Sequence, residues 1–228
     1  MLEALREPVP LAFLGTYVAL VAATLASRRL IRRRGRTETL GNVAERVRSW
    51  WWIVTALAIA FLAGPTATIL LFGLVSFWCL REFLSLTPTP AADHYALAAA
   101  FYLFLPLQYW LLVDPWPAVF AIAIPVYAFL LLPVLALPAG ETRDFLPRIA
   151  KTQWALMLAV YCLSHAPALL TLRFEANPAG AFGPLAFLLL VSQASDVAQY
   201  LFGKTLGRHR LAPAISPGKT WEGLLLGG

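Results

Sequence analysis

The sequence predicts an all-α fold: a polytopic transmembrane helical bundle of about seven spans plus the start of an eighth. Three observations carry that expectation. Of the 228 residues, 60% are hydrophobic and only 13% are charged. The mean hydropathy is +0.70. The apolar residues come in blocks long enough to cross a bilayer, separated by short stretches rich in Pro, Gly and charge. A soluble domain is usually about 45–50% apolar, so a large water-soluble core is the weaker reading.

The expected spans are 9–27, 49–63, 65–84, 94–113, 115–137, 150–172 and 181–203, with an eighth beginning near Thr220. The first has its basic cluster after the apolar run, which suits an uncleaved anchor rather than a cleaved signal. Before the second, Leu40, Val43 and Val47 share a helical face and Trp50, Trp51 and Trp52 stand at the water boundary. Residues 37–48 are therefore expected as an interfacial amphipathic helix. Pro106, Pro125 and Pro133 fall inside spans and are read as kinks, because neighbouring helices can satisfy the carbonyls that proline frees. Cys79 and Cys162 lie in apolar blocks without zinc spacing and are read as free thiols. Residues 1–228 are taken as a single integral membrane domain, incomplete at its C-terminus.

The net charge is +6, and its distribution argues against a nucleic-acid partner. With the loop after the first span placed in the cytoplasm, sixteen of the 18 Lys and Arg fall in inside loops. Arg6 and Arg173 remain outside. This bias orients the chain with its N-terminus outside and residues 204–219 in the cytoplasm. It accounts for the positive charge through topology and attraction to lipid headgroups. The expected location is the inner (plasma) membrane.

Two Gly-Lys-Thr triplets invite a P-loop reading, and both fail it. The position five before Gly218 is Pro213, and the one five before Gly203 is Ala198; neither is the Gly that the loop requires. A different arrangement surrounds them. Ser192, Asp196, Gln199 and Gly203 are spaced four, three and four apart, so they line one face of the seventh span. Asp196 lies seven residues before Gly203, about 10 Å deep at 1.5 Å per residue. A carboxylate at that depth costs about 2.5–3.5 kcal/mol and calls for a cation, a metal or a water-filled cavity. Directly after come Lys204, Arg208, His209, Arg210 and Lys219, with Gly203, Gly207 and Gly218 allowing close backbone approach. Ser216 or Thr220 can cap the next helix, whose free N–H groups suit an anion. A buried acid beside a basic, glycine-containing loop is equipment for a metal-bound phosphate. A loop that merely sets topology, or a packing hydrogen bond from Asp196, is the plainer alternative.

The run from Ser195 to Gly228, "SDVAQYLFGKTLGRHRLAPAISPGKTWEGLLLGG", resembles the cytosolic loop of phosphatidate cytidylyltransferases (CDP-diacylglycerol synthases). The matching positions are Asp196, Tyr200, Gly203, Gly207, Leu211, Pro213, Ser216, Pro217, Lys219, Thr220, Trp221, Glu222 and Gly223. "SFWCLREF" and "RVRSWWW" are similar to the family's less specific upstream region. Gln199 departs from the commoner small residue. The family continues past this point into a signature that supplies further metal-binding acids, and the sequence stops at Gly228 before it. The 228 residues alone are therefore expected to be inactive.

The resemblance implies transfer of a cytidylyl group from CTP to phosphatidate, giving CDP-diacylglycerol and pyrophosphate, with Mg2+ as cofactor. It makes Asp196 and Lys219 the catalytic candidates. Lys204, Arg208, Arg210, Ser216 and Thr220 are the substrate-binding candidates, and Asp196 with Glu222 the metal candidates. Partners on this reading are CTP, phosphatidate and the bilayer, and a homodimer is kept open. Two other readings stand beside it: a CTP-dependent lipid-alcohol kinase, and a membrane transporter with Asp196 as its ion site.

Overall fold

The computed structural model describes residues 8–35, 37–172 and 180–228. Arg6, Arg36 and Arg173, which enter the charge count, lie outside them. The described chain is almost wholly helical and falls into two compact units, residues 1–182 and 183–228.

In the first unit six helices are long and apolar enough to cross a membrane. They are α1 (Pro8–Arg34), α2 (Glu38–Ala63), α3 (Pro65–Ser85), α4 (Ala91–Val113), α5 (Pro117–Ala139) and α6 (Phe145–Thr171). α2 starts at Thr37, whose hydroxyl accepts the Leu40 N–H at 3.4 Å. It runs unbroken to Ala63, so segment 37–48 is continuous with the second span instead of being set off from it. Gly64 separates α2 from α3 with φ 107°, a backbone open to glycine, and Pro65 starts α3 where its missing N–H costs nothing.

α1 packs on α2 through small hydroxyls and rings. Trp51 Nε1 donates to Thr24 Oγ1 at 3.1 Å, and Phe13 meets Phe61 edge-on. The centre of the unit is α3 to α6, with Leu80, Leu132, Leu156 and Val160 fully buried. Polar groups in this interior are mostly paired. Ser76 and Tyr109 share a hydrogen bond of 2.5 Å. Gln108 Nε2 donates to the Phe120 carbonyl and to Ser164 Oγ, both at 3.2 Å. Outward faces carry large apolar residues such as Leu62, Tyr102 and Leu130, as expected where lipid rather than water is the solvent.

Three of the helices contain a π-helical turn: Ala100–Phe104, Ala123–Ala128 and Met157–Cys162. Pro125 and Pro133 do not break α5. The carbonyl that Pro125 would have engaged, Ala121, accepts the Tyr161 hydroxyl at 3.1 Å. The one freed by Pro133, Phe129, accepts Gln153 Nε2 at 2.9 Å. Both donors come from α6, which is the neighbour-helix repair that apolar surroundings demand.

The second unit holds α7 (Phe182–Thr205), a two-stranded antiparallel hairpin of β1 (Arg210–Ala212) and β2 (Ser216–Thr220), and α8 (Trp221–Gly227). α7 is the seventh span-length helix among the described residues, and α8 is a seven-residue helix that begins near the expected position at Thr220.

Candidate phosphate-binding hairpin and its helix pair

Within 204–219, expected as a cytosolic phosphate-binding loop, the chain forms two short strands. Arg210 pairs with Thr220 and Ala212 with Ser216, with an irregularity between the two pairs. Pro217 is tolerated in β2 because a two-stranded ribbon has a free edge on each side. The turn closes through the Ile215 N–H on the Ala212 carbonyl at 3.1 Å.

Thr220 ends the hairpin and starts α8. Its backbone is extended (φ −126°, ψ 155°) and its hydroxyl accepts the Gly223 N–H at 3.2 Å. Of the two expected caps, Thr220 therefore takes the role, and Ser216 lies four residues earlier in the hairpin. α8 then turns back along α7. An added Cβ on Gly223 would stand 2.8 Å from the Gln199 carbonyl oxygen and 3.1 Å from Gly203 Cα. One on Gly227 would stand 2.6 Å from Gln199 Cα and from the Ala198 carbonyl carbon. Ser195 Oγ donates to the Gly227 carbonyl at 2.8 Å, and Gln199 Nε2 donates to Ser195 Oγ at 3.1 Å. Glycines four apart on α8 thus let two backbones meet closely, the usual device for helix pairs in lipid.

This packing assigns the glycines of the loop. Gly203 and Gly207 face Thr220: an added Cβ at 207 would lie 2.7 Å from Thr220 Cγ2. Their missing side chains serve helix and cap packing. Gly218 has open space around it and leaves its backbone approachable.

Glu222, in the first turn of α8, reaches across to the segment after α7. Its carboxylate accepts the Arg208 N–H at 3.1 Å and the His209 N–H at 3.2 Å, and lies 2.7 Å from His209 Nδ1. The Trp221 N–H in turn donates to the His209 carbonyl at 2.9 Å. The His209 side chain, followed by the backbone N–H of Glu222 itself and then those of Arg208 and His209, holds the Glu222 carboxyl down at about 2, well below the usual carboxylate range. Both Glu222 oxygens are engaged within the chain.

Asp196 is different. Its side chain is exposed and makes no hydrogen bond or ion pair among the described residues. It sits beside Ser195, at the flank of the α7 stripe that packs on α8. The stripe is Ser195, Gln199 and Gly203, so the polar face read as Ser192–Asp196–Gln199–Gly203 is turned by part of a residue step. Asp196 lies level with the Gly227 end of α8, and Glu222 lies at the opposite end, about 7 Å further along the axis at 1.5 Å per residue. Among the described residues no three His, Cys, Asp or Glu converge.

Lys204, Arg208, Arg210 and Lys219 are all exposed, and none forms an ion pair among the described residues. Lys204 Nζ stands 5.4 Å over the Tyr200 ring. The hairpin therefore gathers free cations, an open glycine and a capped helix start around one pinned loop. His209 is the participant that sequence reading missed as a structural tie. Its partner Glu222 is 13 residues away, and no spacing rule joins them.

The model of the cytidylyltransferase family matches residues 44–228. The chain is 34% identical over 215 residues to "Uncharacterized protein YnbB" of Escherichia coli K12, covering 92% of this chain and 68% of that protein. It is 31% identical over 81 residues to "Phosphatidate cytidylyltransferase" of Staphylococcus haemolyticus, 35% of this chain and 31% of the relative. The protein of the same name in Chlamydia trachomatis is 46% identical over 41 residues, 18% of this chain and 13% of the relative. The chain thus spans about two thirds of the first relative, and its match covers under a third of the enzymes named for phosphatidate. No solved structure matches.

Proposed function

The chain belongs to the cytidylyltransferase family, and from that premise we propose that it transfers the cytidylyl group of CTP to phosphatidate, releasing pyrophosphate and leaving CDP-diacylglycerol in the bilayer. The observation that carries the proposal is the pinned hairpin at the end of a span-length helix, with Arg208, Arg210 and Lys219 exposed and unpaired beside the Thr220-capped start of α8. Water-soluble CTP and a lipid phosphate can both reach such a place.

The lipid phosphate is already an anion, so an oxygen of it can attack the α-phosphorus of CTP without a protein base. The new P–O bond forms as the α–β bridging bond breaks, and the electron pair leaves with pyrophosphate. Catalysis is then mostly positioning and charge neutralisation. Lys219 and Arg208 suit the phosphate oxygens of CTP, with Arg210 and Lys204 supporting at longer range. Ser216 and Thr220 offer hydroxyls nearby, that of Thr220 already accepting from Gly223 N–H. The Glu222 clamp holds Arg208 in place through its backbone.

The donor set fits Mg2+ shared with substrate and not a cage made by protein alone. Asp196 is the unengaged carboxylate, and Mg2+ is commonly held by one or two carboxylates together with phosphates. When bound there it would spread the negative charge that builds on the leaving pyrophosphate.

The deciding experiment supplies phosphatidate, and CTP labelled at either the α- or the γ-phosphate, to a version of the protein that also carries the family's further metal-binding acids. Label from α-CTP entering lipid, with none from γ-CTP, supports cytidylyl transfer. The reverse pattern would establish a lipid kinase. Solute movement across vesicles without CTP consumption would favour a transporter.

A further inference from the structure

We propose that the tip of the hairpin, Pro213, Ala214 and Ile215, is seated in the headgroup–acyl boundary of the bilayer, on anionic lipid. Both ends of the hairpin leave the apolar layer at one level. Gly203, in the last turn of span-length α7, lies against Thr220, and an added Cβ there would be 3.3 Å from Thr220 Oγ1. The chain then re-enters beside α7 as α8, with Leu224, Leu225 and Leu226 exposed. A three-residue strand reaches about 10 Å at 3.3 Å per residue, little more than the polar layer on one side of a bilayer. A hairpin pinned in this way stays near the membrane surface.

Its tip is built for that surface and not for water. Turns in water favour Gly, Pro, Asn, Asp and Ser; Pro213 suits a turn, but residues 213–215 carry no polar side chain, and Ile215 is 89% exposed. Behind the tip stand the unpaired cations Arg210 and Lys219. Trp221, 49% exposed, marks the same level, where amphipathic rings collect. Apolar residues backed by Lys and Arg are the composition of segments that lie in the lipid interface, and the cations select anionic headgroups. The seat does not depend on the reaction proposed above.

The test uses the full chain with Cys79 and Cys162 replaced by Ala, Ile215→Cys carrying a nitroxide, and a second label at Ala214→Cys. A water-facing reference is Arg143→Cys, whose native side chain is 89% exposed. Each protein is reconstituted in vesicles of phosphatidylcholine with phosphatidylglycerol and in phosphatidylcholine alone. Collisions with oxygen and with a water-soluble nickel chelate are then compared. The expected result is an oxygen-to-nickel ratio several-fold above the reference at both tip positions, falling in the neutral vesicles. A ratio equal to the reference means that the tip projects into water and overturns the proposal. Low access to both reagents means that protein covers the tip, whether another segment or a second copy, and overturns it as well.

Discussion

Arg148 donates from Nε to Asp93 Oδ1 at 2.8 Å, with the two side chains only 7% and 3% exposed. Arg148 Nη1 also holds the carbonyls of Glu141 and Arg143, at 3.3 and 2.9 Å. The pair ties the first turn of α4 to the first turn of α6 and fastens the connection before α6. Two spans, α4 and α5, separate these starts, so alternation places both on one side of the membrane, as the pairing requires.

Removing one partner leaves a buried charge alone, so Asp93→Ala or Arg148→Ala should each cost about 3–5 kcal/mol. The double replacement Asp93→Ala with Arg148→Ala should cost clearly less than the sum of the single changes. Unfolding in detergent, followed as a double-mutant cycle, checks this. Additive losses would show that the pair contributes no coupling.

The second prediction concerns the α7–α8 contact. Gly227→Ala drives a methyl into the backbone of Ala198 and Gln199, and Gly223→Ala drives one against the Gln199 carbonyl. Overpacking of this kind costs about 1–3 kcal/mol. Gly15→Ala meets nothing within 4 Å and serves as the control. Thermal unfolding in detergent should separate the first two from the third, and equal midpoints for all three would mean that the helices part without penalty.

These elements show what the sequence makes legible. Span-length apolar runs gave the helices, and the prolines at 125 and 133 were readable as repaired kinks because the repair follows from lipid being unable to hydrogen-bond. The helix start at Thr220 was readable from cap chemistry. The sequence suggests close backbone approach at Gly203, Gly207 and Gly218, whereas the contact made by Gly223 and Gly227 emerges only from the packing of α8 on α7. By contrast, nothing in the sequence marks Asp93 and Arg148 as partners. They lie 55 residues apart, and a pairing at that distance is a property of how helices assemble. The same holds for His209 with Glu222. The hairpin escaped notice because its short strands, one of them interrupted by Pro217, lack the alternating apolar pattern that marks a half-buried sheet.

Acid should loosen the hairpin's clamp. The Glu222 carboxyl is held at about 2 in the fold, against an ordinary 4.5. A lowered folded pKa adds stability above the unfolded value, and that stability is lost as pH falls. The clamp should therefore be intact above about pH 4.5 and weaken progressively between about pH 4.5 and 2. Hydrogen-exchange protection of the Arg208 and His209 amides, corrected for intrinsic rate, should drop over that window. Glu222→Gln should flatten the dependence, and a pH-independent protection factor in the native protein would refute the clamp.

The charge bias predicts that residues 204–219 face the cytoplasm. Thr205→Cys in a background lacking Cys79 and Cys162 should resist a membrane-impermeant thiol reagent applied to intact cells and react after the cells are opened. Strong labelling from outside would invert the topology and remove the hairpin from the compartment that holds CTP.

The last prediction tests Asp196 itself. An exposed, unengaged carboxylate at the flank of α7 has two explanations: it awaits a cation, or it only hydrogen-bonds to a neighbouring helix. Asparagine separates them, since it keeps the shape and can still hydrogen-bond but carries no charge. If Asp196 organises a divalent cation with the phosphates, Asp196→Asn, made in a version of the protein that also carries the family's further metal-binding acids, should lower CDP-diacylglycerol formation by about 10²–10³, the scale of losing one electrostatic stabiliser of a charged transition state. Membrane insertion and unfolding should stay unchanged, because the apolar spans that direct insertion are untouched. Raising Mg2+ should recover part of the rate in Asp196→Glu, which retains the charge at a longer reach, and none in Asp196→Asn. Near-normal turnover of Asp196→Asn at ordinary Mg2+ would make the residue a packing group and move the search for the cation's ligands elsewhere in the protein.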